Sequence, residues 1–194
     1  MKYNKFGGWS AAQGVVCFAG SRRGKVNEKA CCALVLSFQK LSFSFLVGCA
    51  PGVDRCFRQA LSDLIPAERW TVHCAFQSRV HAFKKARSPT ICTVSDAPSA
   101  AAALHRRTVT MISEGSLLVL FPDDPATGAW GRGSRLAFNT AVQRHKPVFV
   151  VTNIPPLSTK QLRVTAGSLF SVVSGYWVAP VGIPAQEEAV YAQE

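Results

Sequence analysis

Acidic residues are scarce in this chain of 194 residues, which has 11 aspartates and glutamates against 22 lysines and arginines. The formal charge of +11 favours an anionic partner, such as nucleic acid, a nucleotide or an anionic membrane surface. The alternative is that the charge serves only solubility. Basicity alone therefore does not name the partner.

Long apolar runs are also lacking. No run approaches the roughly 18 apolar residues of a transmembrane helix, and the start, "MKYNKFGGWSAAQG", has no apolar core of signal-peptide length. The seven cysteines form no CxxC pair, and no HxH or HExxH pattern accompanies them, which argues against a metal site. Their odd number and irregular spacing indicate a reducing compartment. We expect a cytoplasmic protein that does not enter a membrane and holds no metal.

Strands and helices alternate along most of the chain. A hydrophobic fraction of 48% and a length of 194 residues are typical of one globular domain with a full core. Apolar strands are each followed by an amphipathic stretch, and this alternation predicts an α/β three-layer sandwich with a mainly parallel sheet. The strands are "GVVCFAGS", "FSFLVGCA", "RWTVHCAF", "SLLVLFP" and "PVFVVTN".

The ends of the chain break this pattern. We expect residues 1–13 to be an N-terminal tail and 14–152 to be the main domain. Residues 153–194, in which Pro and Gly surround two strand-like stretches, are predicted to be an appendage on that domain. An extra hairpin and a contact in a homodimer are both open interpretations of this appendage.

Three strands end in loops that are rich in small residues: "AGSRRG", "GCAPGVD" and "DDPATGAWGRGS". Glycines let backbone N–H groups approach a ligand, and a helix N-terminus adds partial positive charge, so such loops suit a phosphate or a carboxylate. The carboxyl ends of parallel strands share one edge, where ligands of open α/β sheets bind. In the second loop, Asp54 is placed to cap the following helix.

The order of four motifs resembles the SLOG superfamily. These are "CFAGSRR", "VGCAPGVDR", "HRRTVTMISEGSLLVLF" and "GSRLAFNTAVQRHKPVFVV", which together cover roughly residues 14–152. That Rossmann-like group includes YspA/YpsA-like proteins, the "lonely guy" (LOG) phosphoribohydrolases and the DNA-processing protein A (DprA/Smf) family. The resemblance implies a Rossmann-like fold.

The resemblance also implies a nucleotide- or phosphate-binding edge. Arg107 falls where the family places an arginine ahead of the penultimate strand, and the loop from Gly128 to Ser134 would close over the ligand. The residues implied in ligand binding are Gly20, Ser21, Arg22, Gly48, Ala50, Gly52, Val53, Arg107, Gly128, Gly131, Gly133 and Ser134.

One departure from the phosphoribohydrolases concerns their chemistry. Ala137 stands where their motif carries the glutamate that takes part in glycosidic cleavage, although Glu114, Asp123 or Asp124 could supply a carboxylate instead. Whether the chain is an enzyme is therefore left open, and no catalytic residue or cofactor is assigned.

A basic stretch supports a DprA-like alternative, in which the same edge binds single-stranded nucleic acid. Its candidate phosphate contacts are Arg23, Lys84, Lys85 and Arg87, and Trp130 could stack on a base or cover the pocket. A solvated helix face is the commoner meaning of such a stretch. The first interpretation remains a SLOG protein that binds or senses a nucleotide or another phosphorylated ligand, with LOG-type hydrolysis as a further alternative.

Overall fold

The computed structural model describes residues 14–84, 90–92, 97–124 and 126–181, without side chains for 81–84 and 90–92. The predicted tail, 1–13, lies outside these residues. The strands are β1 (Val15–Gly20), β2 (Ser44–Gly48), β3 (Trp70–Cys74), β4 (Thr90–Cys92), β5 (Leu117–Phe121), β6 (Val148–Val150), β7 (Leu162–Leu169) and β8 (Val173–Pro180). The helices are α1 (Glu28–Lys40), α2 (Val53–Leu64), α3 (Gln77–Lys84), α4 (Ala100–Glu114) and α5 (Arg132–Gln143).

All eight strands join one sheet in the order β4-β3-β2-β1-β5-β6-β8-β7. The strands from β4 to β6 are parallel, whereas β8 is antiparallel to β6 and to β7. The predicted α/β fold, with a mainly parallel sheet and a Rossmann-like arrangement, is confirmed. Strand β4 was not predicted, because three residues are too few to show a period.

The alternation along β1 divides the core between two faces of the sheet. Val16 and Phe18 face α1 and α2, and Phe18 stacks on Phe57 of α2 with ring centroids 3.9 Å apart. Cys17 and Ala19 face the opposite way, toward α4 and α5. Both faces of the central strands are therefore covered, which explains their continuous apolar sequence.

Two helices end in the same motif without the usual glycine. After α1, Ser42 has φ 63°, its N–H donates to the Gln39 carbonyl (2.9 Å), and the Phe43 N–H donates to the Phe38 carbonyl (3.1 Å). The ring centroids of Phe38 and Phe43 are 5.3 Å apart. These two hydrogen bonds and the apolar contact that accompanies them form a Schellman motif.

The end of α5 repeats this geometry. His145 has φ 54°, and the N–H groups of His145 and Lys146 donate to the carbonyls of Val142 and Ala141. The Lys146 ammonium then donates to the carbonyls of Ile112, Ser113 and Gly115 at the C-terminus of α4. A cation at this end of a helix is favourable, because the helix dipole is negative there.

The predicted C-terminal appendage contains a hairpin. Strands β7 and β8 pair from Leu162↔Pro180 to Leu169↔Val173, and β8 extends the main sheet beyond β6. The hairpin tip packs on α1, since the ring centroids of Phe170 and Phe38 are 4.8 Å apart. The domain boundary at 152 remains a prediction, and 182–194 lies outside the described residues.

Within the described ranges, none of the helices has the length and apolar character needed to cross a membrane.

Candidate functional site

A cavity of about 560 Å³ opens at the edge of the sheet where β1, β2 and β5 end. Its walls come from the ends of these strands and the loops after them, from the part of α4 between Ala100 and Met111, and from the first turns of α5. Eight of the residues implied in ligand binding line it: Gly20, Ser21, Arg22, Ala50, Arg107, Gly131, Gly133 and Ser134. Gly48, Gly52, Val53 and Gly128 do not line it.

Ser21 holds the loop after β1 in shape. Its N–H donates to the Phe121 carbonyl (2.9 Å), and its hydroxyl oxygen accepts from the N–H groups of Arg23 and Gly24, both at 3.2 Å. This turn leaves the side chains of Arg22 and Arg23 at the mouth of the cavity. Ser21 is therefore a positioning residue for two exposed arginines.

Asp54 and Arg107 form a buried ion pair beneath the cavity. Arg107 Nη1 lies 3.2 Å from Asp54 Oδ2, and each side chain is only 6% exposed. The same oxygen accepts from the Ala50 N–H at 3.2 Å. The expectation that Asp54 caps α2 was therefore wrong, because Gly52 is the N-cap of this helix. The guanidinium of Arg107 is held by Asp54 and does not extend into solvent.

In the loop after β2, the N–H groups of Ala50 and Val53 are already paired, with Asp54 Oδ2 (3.2 Å) and with the Ser21 carbonyl (3.1 Å). Arg58 Nη1 donates to the carbonyls of Gly48 (2.5 Å) and Ala50 (2.9 Å), and Arg79 Nη1 donates to the Cys49 carbonyl (3.2 Å). Burial lowers the pKa of Arg58 below its usual value. Arginine side chains thus bind this loop from the protein side.

The glycines of this loop make room for protein atoms. A Cβ on Gly48 would lie 1.5 Å from Arg107 Nη1. Gly52 has φ +73°, and a Cβ there would lie 2.4 Å from the carbonyl oxygens of Ser21 and Arg22. The Val53 N–H donates to the Ser21 carbonyl at 3.1 Å. The sequence "GCAPGVD" therefore joins the β1 and β2 loops and makes space for the ion pair.

The third loop brings the N-terminus of α5 to the cavity. Gly131 is the N-cap and supplies no side-chain cap, and the first turn contributes Arg132, Gly133 and Ser134 to the wall. A helix N-terminus without a side-chain cap offers N–H donors and partial positive charge to an anion. This end of α5 provides what the loop after β2 was expected to provide.

Two other residues of the third loop lie apart from the cavity. Gly128 adopts φ +64°, and its N–H donates to the Asp124 carbonyl at 2.7 Å. Trp130 packs edge-on against Phe138, with ring centroids 5.4 Å apart, and does not line the cavity.

The carboxylates that line the cavity are both paired with arginines. Asp54 contacts Arg107, and Asp124 Oδ2 lies 3.5 Å from Arg23 Nη1. Of the alternatives to the missing glutamate, Asp124 lines the cavity, whereas Glu114 and Asp123 do not. Ala137 lies in the wall and is 1% exposed.

Two ionisable groups near the ion pair have strongly shifted pKa values. The hydrogen bond from the Cys74 side chain, with help from the Ala75 N–H and the Arg107 charge, lowers the pKa of Cys49 to about 5 against the opposing effect of burial. Burial, and secondarily the Arg107 charge, lowers the pKa of His73 to about 4.

His73 is consequently neutral at physiological pH. Its Nε2 lies 3.3 Å from Glu114 Oε2, but the angle does not satisfy a hydrogen bond and both ring nitrogens are buried without a partner. The contact with Glu114 does not raise the pKa of His73, because the loss of hydration outweighs it: the ring is fully buried, whereas the Glu114 side chain is 48% exposed.

The sequence interpretation missed Arg132, His105 and the apolar wall. Arg132 directly follows Gly131 at the start of a helix, so the "GRGS" stretch could have indicated it. Ala100, Ala101 and Leu104 line the cavity from the first turns of α4. Of the predicted nucleic-acid contacts, Arg23 lines the cavity, Lys85 and Arg87 lie outside the described residues, and the side chain of Lys84 is not described.

No known family model matches the chain, and no curated protein matches it by sequence. Two solved structures have a similar fold. A DNA processing protein A from Helicobacter pylori, described by its single-stranded DNA binding mode, aligns with TM-score 0.52 and 16% identity over 76% of this chain and 67% of that one.

The second is DNA processing protein A (DprA) from Streptococcus pneumoniae, with TM-score 0.50 and 12% identity over 77% of this chain. This chain spans about half of the S. pneumoniae chain, since 53% of that chain is covered. At these identities, the comparisons establish that the chain shares its α/β fold with DNA processing protein A.

Proposed function

We propose that the strand-end cavity binds single-stranded nucleic acid and holds the phosphate of one nucleotide at the N-terminus of α5. One observation carries this proposal: three exposed arginines, Arg22, Arg23 and Arg132, surround a helix N-terminus that has no side-chain cap. Arginines and helix N-termini are common phosphate ligands in complexes with nucleic acids.

The charge balance of the cavity supports an anionic ligand. Four arginines and two aspartates line it, so the lining carries an excess of two positive charges when the single histidine is neutral. The two aspartates are already paired with Arg107 and Arg23. Arg22 and Arg132 are therefore the arginines best placed to contact a phosphate.

The likeness in fold to a DNA processing protein A with a described single-stranded DNA binding mode is consistent with this proposal. The net charge of +11 points in the same direction.

Fluorescence anisotropy with a labelled oligonucleotide of about 15 nucleotides tests the proposal. Binding should weaken with salt, with a log–log slope that grows by about 0.7 for each phosphate neutralised on a single strand. Arg22→Ala combined with Arg132→Ala should weaken binding and reduce this slope by about 1.4, if each arginine neutralises one phosphate.

Arg144→Ala is the matched control, since Arg144 is exposed at the far end of α5 and does not line the cavity. It should leave the slope close to that of the wild type. Equal slopes for wild type and the double variant would overturn the proposal.

A free nucleotide is the second candidate ligand. The volume of about 560 Å³ falls within the range of small-molecule sites, and the apolar wall of Ala100, Ala101 and Leu104 could accommodate a base. If a nucleoside monophosphate binds and the oligonucleotide does not, the cavity serves a free nucleotide. If the oligonucleotide binds and is displaced by the monophosphate, the cavity holds one unit of the strand.

A further inference from the structure

Two buried cysteines meet where β2 and β3 end side by side. The last pair in the parallel register of these strands is Gly48 with His73. Cys49 and Cys74 come directly after these two residues, so they are neighbours across the two strands. Both belong to the same hydrophobic cluster, which places their side chains on one face of the sheet. Neither forms a disulfide with another described residue.

The two sulfur atoms are hydrogen-bonded to each other. The Cys74 thiol donates to the Cys49 sulfur, and the Ala75 N–H donates to the same atom. Neighbouring strands lie about 4.7–4.9 Å apart, which falls within the range of about 4.4–6.8 Å between the Cα atoms of disulfide-bonded cysteines. A bond between the two sulfurs therefore requires no large movement of the backbone.

Cys49 differs chemically from two other buried cysteines. Burial raises the pKa of Cys17 and of Cys31 to about 12, so these two side chains stay protonated at neutral pH. For Cys49, the hydrogen bond from Cys74 outweighs the effect of burial, and the nearby Arg107 charge also lowers the pKa. Because the thiolate is the form of cysteine that reacts with oxidants, Cys49 is the nucleophile of the pair.

We propose that Cys49 and Cys74 are a peroxide-sensitive thiol pair, which hydrogen peroxide converts into a disulfide that ties the loop after β2 to the end of β3. The Cys49 thiolate attacks one peroxide oxygen, the O–O bond breaks, and the hydroxide that leaves takes up a proton to become water. The Cys74 sulfur then attacks the sulfur of the resulting sulfenic acid. The S–S bond forms as the S–O bond breaks, and the hydroxide leaves with the Cys74 proton as a second water. The two thiols together lose two electrons, which reduce the peroxide.

The surroundings of the pair favour a small oxidant. Cys49 is 2% exposed and Cys74 is fully buried, so only a molecule close to water in size has access to them in the folded protein. The next residue, Ala50, lines the cavity, which therefore brings solvent within one residue of the thiolate. This proposal does not depend on which ligand the cavity binds.

Peptide mapping of the oxidised protein tests the proposal. Trypsin releases Cys49 in residues 41–55 and Cys74 in residues 70–79, and each of these peptides contains a single cysteine. After treatment with graded amounts of hydrogen peroxide and blocking of the remaining thiols with N-ethylmaleimide, the two peptides should be found cross-linked, and dithiothreitol should separate them. In the folded wild type, this product should form at least about tenfold faster than any oxidation product of Cys17 or Cys31, because those two are protonated.

Single variants assign the two roles. Cys74→Ala should leave Cys49 as a sulfenic acid that dimedone labels, whereas Cys49→Ala should leave Cys74 unlabelled. Cys32→Ala is the matched control, since Cys32 is half-buried on α1 away from the pair, and it should cross-link like the wild type. Circular dichroism checks that each variant is folded.

Three outcomes would overturn the proposal. The first is oxidation of other cysteines in the folded wild type without a bond between Cys49 and Cys74. The second is a bond from Cys74 to Cys92, its register partner on β4, in place of Cys49. The third is a bond between Cys49 and Cys74 that forms as fast in urea as in the folded protein, since the fold would then contribute nothing to it.

Discussion

Asp54 and Arg107 stabilise the floor of the cavity as a pair, because each would otherwise be a buried charge without an opposite partner. Removing one member of a buried pair typically costs about 3–5 kcal/mol. We expect Arg107→Met to lower the free energy of unfolding by about this amount. The double variant Asp54→Asn/Arg107→Met should lose less than the sum of the two single variants, since neither charge remains and the asparagine oxygen can still accept from the Ala50 N–H.

Urea unfolding of the wild type, both single variants and the double variant measures this coupling. Strictly additive losses would contradict it. The same data separate a loss of stability from a loss of ligand binding, since Arg107 both pairs with Asp54 and lines the cavity.

His73 should make the protein less stable in mild acid. Its pKa of about 4 in the folded protein lies below the usual 6.5, so between these values the unfolded chain binds a proton that the folded chain does not. The stability that the neutral, buried imidazole allows is therefore fully present above pH 6.5, and it is lost as the pH falls toward 4. The wild type should lose this stability as the pH falls, whereas the variant His73→Leu has no group there to protonate. We therefore expect the stability of His73→Leu relative to the wild type to increase as the pH is lowered from 6.5 to 4, as measured by thermal unfolding at several pH values. A constant difference across the interval would show that His73 is not the group that titrates.

At the scale of single residues, eight of the residues that the family resemblance implied in ligand binding line the cavity, and so does Arg23, but Asp54 does not cap α2 as expected. Glycines and Arg107 were indicated by loop chemistry and by family resemblance. The contact between Asp54 and Arg107 joins positions 53 apart, and it depends on how α4 packs over the β2 loop. No local period in the sequence carries that information.

The end of α1 offers a test at the level of one element. Ser42 occupies the left-handed position of a Schellman motif, which glycine adopts without strain. Ser42→Gly should therefore raise the free energy of unfolding by about 0.5–1 kcal/mol, because the relief of strain exceeds the added entropy of the unfolded chain. Chemical denaturation provides the measurement.

Ser37→Gly is the matched control inside α1, where glycine should instead lower stability by about 0.5–1 kcal/mol. If both glycines lower stability equally, the motif at Ser42 contributes no relief of strain.

The elements themselves were largely predictable, because buried parallel strands are continuous apolar runs and the helices between them are amphipathic. The hairpin of β7 and β8 was one of two open interpretations. Its attachment to β6 could not be predicted, because pairing between distant strands depends on which edge is left open after the parallel strands have assembled.

For the whole molecule, the alternation of strands and helices along the sequence was sufficient to predict the layers. The anionic partner that the net charge favours stays a prediction. Neither the alternation nor the net charge could locate the site within the basic surface. The location comes from three loops meeting above β1, β2 and β5, with Arg132 brought in by α5. The strand order that creates this meeting point places β1 between the second and the fifth strand of the chain.

That central position has a consequence for the nascent chain. Gly20 pairs with Phe121, and a ribosome that adds about 5–20 residues per second needs about 5–20 s to synthesise the residues between them. Throughout this interval one edge of β1 has no partner, and the face that carries Cys17 and Ala19 awaits α4 and α5. The emerging polypeptide therefore exposes its future central strand to chaperones and to neighbouring nascent chains until β5 leaves the exit tunnel.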